Sequence, residues 1–189
     1  MNITLDAGHG GKDPGAVYKS YREKEIALSI VLKLQELMKA DVRHVFNIAL
    51  TREVDTDVLL SERVRISNAH DSELFVSVHL NADPDDDSPG KPEATGAEVW
   101  VFPENKKSIA IAECIHKGFR EAFTHYPWRG VRQSDKLYVL KHTSCPAILV
   151  EVGFIDSTHD SEFLSRPGVQ MRIARILHEA VCAFAEAHE

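Results

Sequence analysis

Cysteine is scarce in this chain and poorly spaced for pairing. Cys114, Cys145 and Cys182 are an odd set with no CxxC motif, which fits neither a disulfide framework nor a cysteine zinc site. Buried free thiols are the expected state. Positive charge is also short: 22 Lys and Arg stand against 29 Asp and Glu, a formal net charge of -7. That balance argues against nucleic acid as a partner, because phosphate binding needs clustered Lys and Arg, and an anionic membrane is an equally poor one. Long apolar runs are missing too. AILVEVGFI, at 147–155, is well short of the ~20 residues that cross a bilayer, so no membrane insertion is expected. The N-terminus has no basic start, apolar stretch and small-residue cleavage site, so no secretory signal is expected in this chain.

What is present suits one packed core. A chain of 189 residues with 43% hydrophobic and 27% charged residues reads as a single domain over 1–189. Ile3 and Leu5 alternate with polar neighbours before a glycine-rich loop around His9, a strand running into a turn. From Glu23 to Lys39 apolar residues recur at three- and four-residue intervals, the face of a helix whose first turn holds Glu23. A strand at 47–51, a helix at 57–69 and a strand from Leu74 to Val78 ending at His79 follow. Residues 83–96, rich in Asp and Pro, read as an exposed loop. Strands at 97–102, 137–140 and 147–152, with helices at 105–123 and 171–187, complete the pattern. The expected fold is α/β, a single-domain, six-stranded, mostly parallel twisted sheet with helices on both faces.

In such a sheet, ligand sites gather outside the carboxyl ends of the strands. His9, His79 and Glu151 each fall at such an end, and Glu23 starts the helix after the His9 loop. Two imidazoles and a carboxylate suit zinc and leave a fourth position for water, with a second carboxylate spare for proton transfer. Each residue alone has a plainer reading. A His beside glycines is usually a loop residue, and a strand-end His often caps a carbonyl. Glu151 is harder to explain that way, because an acid after Ala147, Ile148, Leu149 and Val150 needs a partner. His142 and His159 are the best competing ligands, whereas His44, His70, His116, His125, His178 and His188 read as surface residues.

These stretches, DAGHGGKDPGA at 6–16, REKE at 22–25, LTRE at 50–53, SVHLNA at 77–82 and VEVGFIDS at 150–157, resemble the zinc-dependent N-acetylmuramoyl-L-alanine amidases of the type 3 family, in order and over nearly the whole chain. The resemblance implies a peptidoglycan hydrolase that cleaves the amide between N-acetylmuramic acid and L-alanine of the stem peptide. It implies His9, Glu23 and His79 as ligands of one zinc ion and Glu151 as catalytic acid/base, with Asn81 and Arg132 as weaker candidates for substrate contacts. It implies action at the cell wall or periplasm, by a stand-alone lysin or an excised catalytic domain. Cell-division relatives carry a long inhibitory helical segment, but Phe102 to Leu137 leaves room for little beyond one helix and a loop, so a site unblocked by its own chain is expected. A zinc exopeptidase of related fold and a non-catalytic wall-binding module are the competing readings.

Overall fold

The computed structural model describes residues 1–83 and 94–188. Its first strand, β1 (Asn2–Ala7), sits inside the sheet because Ile3, Leu5 and Ala7 on one side and Thr4 and Asp6 on the other are all fully buried. A short hairpin, β2 (Val17–Tyr18) and β3 (Tyr21–Arg22), leads into helix α1 (Glu23–Ala40). Then come β4 (Asn47–Leu50), α2 (Leu60–Ala69), β5 (Leu74–Asn81), β6 (Ala97–Val101), α3 (Lys106–Ala122), β7 (Trp128–Gln133), α4 (Tyr138–His142), β8 (Ala147–Phe154), α5 (Thr158–Leu164) and α6 (Pro167–Glu186). The six-stranded sheet has the order β4-β1-β5-β8-β6-β7. The first four run parallel; β6 reverses against β8, and β7 runs parallel to β6.

Strand alternation sorts side chains between the two faces. Leu74, Val76, Val78, Ile148, Val150 and Val152 join the larger core, under α1, α3 and α6. Phe75, Ala147 and Leu149 point the other way, into a smaller core closed by Val64 of α2 and by Val139 and Leu140 of α4. Period two then carries His79 and Glu151 onto this second face. No helix among the described residues is long and apolar enough to cross a membrane.

Several expectations need correction. The segment 137–140 is not a strand: Tyr138–His142 is a helical turn. LYVL has strand-like composition, yet Val139 and Leu140 insert into the smaller core together, which adjacent strand residues on opposite faces cannot do. The sixth strand is instead β7, whose sequence WRGVRQ is masked by charge and a glycine, as suits an outer strand. The stretch between Phe102 and Leu137 therefore holds a helix and a strand. Helix α2 starts at Leu60 rather than 57, and α5 was not foreseen. Of the expected loop at 83–96, residues 84–93 lie outside the described residues. Cys182 is a buried thiol as expected, whereas Cys145 is half-buried and Cys114 exposed.

Phe75 has no solvent exposure and anchors the smaller core. Phe75→Ala is expected to destabilise the chain by about 3–5 kcal/mol, measured as a shift of the urea unfolding midpoint.

Candidate functional site

After β1 the backbone leaves the sheet in an abrupt turn. His9 adopts φ 57° and Gly10 and Gly11 adopt φ 128° and 60°, conformations in which only glycine is unstrained. Two buried arginines hold the turn. Arg52 donates from Nε to the Ala7 carbonyl (2.9 Å) and from Nη2 to Gly8 (2.7 Å), and Arg63 donates from Nη1 to Ala7 (2.7 Å) and from Nη2 to His9 (2.7 Å). Three successive carbonyls that lost their sheet partners are thereby satisfied. Beneath them, Asp6 accepts Arg63 Nη1 (2.5 Å), Thr51 Oγ1 (2.6 Å) and Ser77 Oγ (2.5 Å).

Glu23 lies where this loop meets the strand ends. Its Oε1 is 3.1 Å from His9 Nε2 and 2.9 Å from His79 Nδ1, and accepts the Leu80 amide at 3.0 Å. Its Oε2 accepts the Ala16 amide at 2.9 Å. These backbone bonds explain why a carboxylate in the first turn of α1 is buried and fixed. His9 Nδ1 donates to Asp13 Oδ2 (2.8 Å), which leaves Nε2 to face the cluster. The two glycines around the site make room: a Cβ on Gly8 would strike the His79 ring, and one on Gly15 would lie 2.6 Å from Glu23 Oε2. Ligand-type atoms of His9, Glu23 and His79 all lie within 4.8 Å of one another, a donor set of the kind that holds zinc.

Glu151 is the register partner of His79 on β8, and Glu98 of β6 is the partner of Glu151. The three form a row across one sheet face. Glu151 Oε2 is shielded from solvent and has no hydrogen-bond partner among the described residues. Burial pushes its carboxyl up to about 7; His79 pulls against this, while Glu23 and Glu98 reinforce it. Glu23 goes the other way: burial opposes ionisation, but the hydrogen bonds and charges of His79 and His9 hold its carboxyl well below the usual range. Burial likewise opposes the charge on His9, yet Glu23 and then Asp13 raise it to about 9. One spare carboxylate that retains a proton near neutrality thus stands beside one that does not.

Asn81 and Arg132 both turn toward Glu98. Asn81 Nδ2 donates to Glu98 Oε1 (3.0 Å), as does Trp100 Nε1 (3.1 Å), while Arg129 and Arg132 approach Glu98 Oε2 at 3.4 and 3.6 Å. Glu98, 4% exposed, is the organiser that sequence reasoning missed; an acid inside the strand AEVWV was the available signal. His142 packs on Tyr138 and His159 sits 3.1 Å from Asp160, and neither belongs to the donor group. A cavity of about 400 Å³ opens from His9, His79 and Asp13 along an apolar wall of Leu59, Leu60 and Tyr138.

The sequence profile of a family described as N-acetylmuramoyl-L-alanine amidase (Amidase_3) matches residues 3–183. The chain is 36% identical over 169 residues to the endolysin of Bacillus phage SPP1, covering 87% of this chain and 58% of that protein. It is 29% identical over 176 residues to the N-acetylmuramoyl-L-alanine amidase CwlM of Bacillus licheniformis, covering 93% and 65%. The chain thus spans about three-fifths of the length of these curated relatives. The solved catalytic domain of CwlV, an N-acetylmuramoyl-L-alanine amidase from Bacillus (Paenibacillus) polymyxa var. colistinus, superposes with a TM-score of 0.86 at 29% identity, covering 98% of each chain.

Two outcomes follow from the buried charges. Arg63→Ala leaves the buried Asp6 without its cation and the His9 carbonyl without its donor, and is expected to lower unfolding stability by about 3–5 kcal/mol, read from denaturant titration. In chelator-treated protein, the folded state binds the Glu151 proton more tightly than the unfolded chain between pH 4.5 and about 7, so this residue's contribution to stability falls as pH rises through that window. Glu151→Gln removes the loss. The variant is expected to be more stable than wild type at pH 8, by on the order of 3 kcal/mol, and to match it near pH 4.

Proposed function

This chain belongs to the N-acetylmuramoyl-L-alanine amidase family, and on that premise we propose that it hydrolyses the amide joining N-acetylmuramic acid to L-alanine of peptidoglycan, with His9, Glu23 and His79 holding one zinc ion and Glu151 as the proton-transferring residue. The observation that carries the reading is the unpartnered, shielded Oε2 of Glu151 beside three converging donor atoms. A structural acid in that position has no reason to lack a hydrogen bond, whereas one that meets a reacting water does. The donor chemistry also fits the ion: two imidazoles, one ionised carboxylate and no competing sulfur.

When bound, zinc supplies a Lewis acid for the scissile carbonyl and makes water more acidic. The remaining work falls to the chain. Asp13 holds the proton of His9 on Nδ1, so that Nε2 offers its lone pair. Glu23 stays ionised and anchored through the Ala16 and Leu80 amides. Glu151 takes a proton from the attacking water and returns it to the alanine nitrogen as the C–N bond breaks; a carboxyl with a pKa near neutrality suits both halves of that exchange. Glu98 keeps Asn81 and the two arginines at the rim, where they would meet the peptide. The apolar wall of Leu59, Leu60 and Tyr138 would take the substrate's methyl groups.

Purified protein incubated with peptidoglycan is expected to release new alanine N-termini without new reducing ends; reducing ends alone would mean a glycosidase. Muropeptides lacking the sugar should be poor substrates, and efficient cleavage of free peptides would favour an exopeptidase. Glu151→Gln is expected to reduce the rate by about 10²–10⁴ with metal content unchanged, whereas His79→Ala should lose the metal itself. Chelation should abolish activity, and added zinc should restore it.

A further inference from the structure

At the far end of α1 a second group of ligand-type side chains comes together. Helix α1 rises about 1.5 Å per residue, so its length puts this group about 27 Å from Glu23. Asp41 caps the C-terminus of α1, and His178 and Cys182 lie one turn apart on the face of α6 that meets it. His178 was expected at the surface; it is buried, as is Cys182. Asp41 is fixed by its own turn, Oδ1 accepting the Arg43 amide at 2.6 Å and the His44 amide at 3.1 Å, which aims Oδ2 at α6. There Oδ2 is 2.9 Å from His178 Nε2 and 3.5 Å from Cys182 Sγ, and Sγ is 3.5 Å from Nε2.

We propose that Asp41, His178 and Cys182 form a second metal site, which takes a zinc ion and staples α1 to α6. The triangle has the proportions of one face of a tetrahedral zinc site. Bonds of about 2.0 Å to oxygen and nitrogen and about 2.3 Å to sulfur give edges of about 3.5 Å to sulfur and about 3.3 Å between oxygen and nitrogen. Both sulfur edges match, and the third needs to widen by a few tenths of an ångström.

A cation already stands on this face. Arg43 Nη2 donates to Asp41 Oδ2 at 2.9 Å and to Cys182 Sγ at 3.4 Å. The arginine side chain is 49% exposed and also reaches Glu179 at 3.6 Å, so it can withdraw toward solvent without burying a charge. Zinc entry exchanges this guanidinium for the ion. The Cys182 thiol, which burial and the Asp41 carboxylate push up to about 12, then gives its proton to solvent and binds as thiolate. The His178 proton moves to Nδ1, on the side of the exposed Glu179 carboxylate. The cysteine count hid this site, because Cys182 is joined by donors that are not cysteines.

Cobalt titration tests the site without passing through hydrolysis, since the His9–Glu23–His79 group contains no sulfur. Wild type and Cys145→Ala are expected to develop a near-ultraviolet thiolate-to-cobalt absorption band. Cys182→Ser should lose the band and bind one fewer zinc per chain, and Arg43→Gln, which keeps every ligand, should bind cobalt several-fold more tightly. No band in the wild type, or a band that survives Cys182→Ser, overturns the proposal. An unchanged or weaker affinity in Arg43→Gln overturns the exchange with the guanidinium.

Discussion

The arrangement depends on a buried carboxylate, Asp6, and on the two guanidiniums above it. Strand β1 must end and turn sharply to present His9, and that turn strips the carbonyls of Ala7, Gly8 and His9 of their ladder partners. In a buried setting such groups would each carry a desolvation penalty of a few kcal/mol. Arg52 and Arg63 supply donors in the planar fork that matches adjacent carbonyls. Arg63 can be buried because Asp6 neutralises it, and Asp6 stays ionised although burial opposes it, because Arg63, His79, Ser77 and Thr51 together outweigh that burial.

The second determinant is strand parity. Because β5 and β8 are parallel neighbours in register, His79 and Glu151 fall side by side, and both point to the face that carries Phe75 and Leu149 below them. A one-residue slip of either strand would send its functional residue into the larger core. The apolar residues Val78, Val150 and Val152, fully buried on the opposite face, therefore fix chemistry as much as packing. A hydrophobic strand specifies its polar alternates as firmly as its apolar ones.

Much of this was legible in the sequence, for identifiable reasons. The strand ending at Ala7 alternates apolar and polar residues, those ending at Asn81 and Phe154 open on short apolar runs, and the stripe from Ile26 to Met38 has one helical period, so the elements bearing His9, Glu23, His79 and Glu151 could be placed. What escaped notice depends on tertiary context. Tyr138–His142 has a strand's composition, and only the space over Leu149 makes it a helical turn. Trp128–Gln133 is interrupted by Gly130 and two arginines, which an outer strand tolerates. Arg52, Arg63 and Glu98 look like surface charges in one dimension; their burial follows from which loops they reach. His178 and Cys182 share a helix, but nothing local ties them to Asp41.

The reversal of β6 changes which connections border the candidate site. Where parallel strands offer the loops that leave them, β6 and β7 offer the loops that enter, and Glu98 and Arg129 stand near those entrances. One side of the centre is thus framed by connections outside the strand-to-helix series that carries His9 and His79. Length changes between Ala122 and Trp128 can reshape that border while His79 and Glu151 keep their register. Length variation at that margin is thus mechanically uncoupled from the parallel core of the sheet.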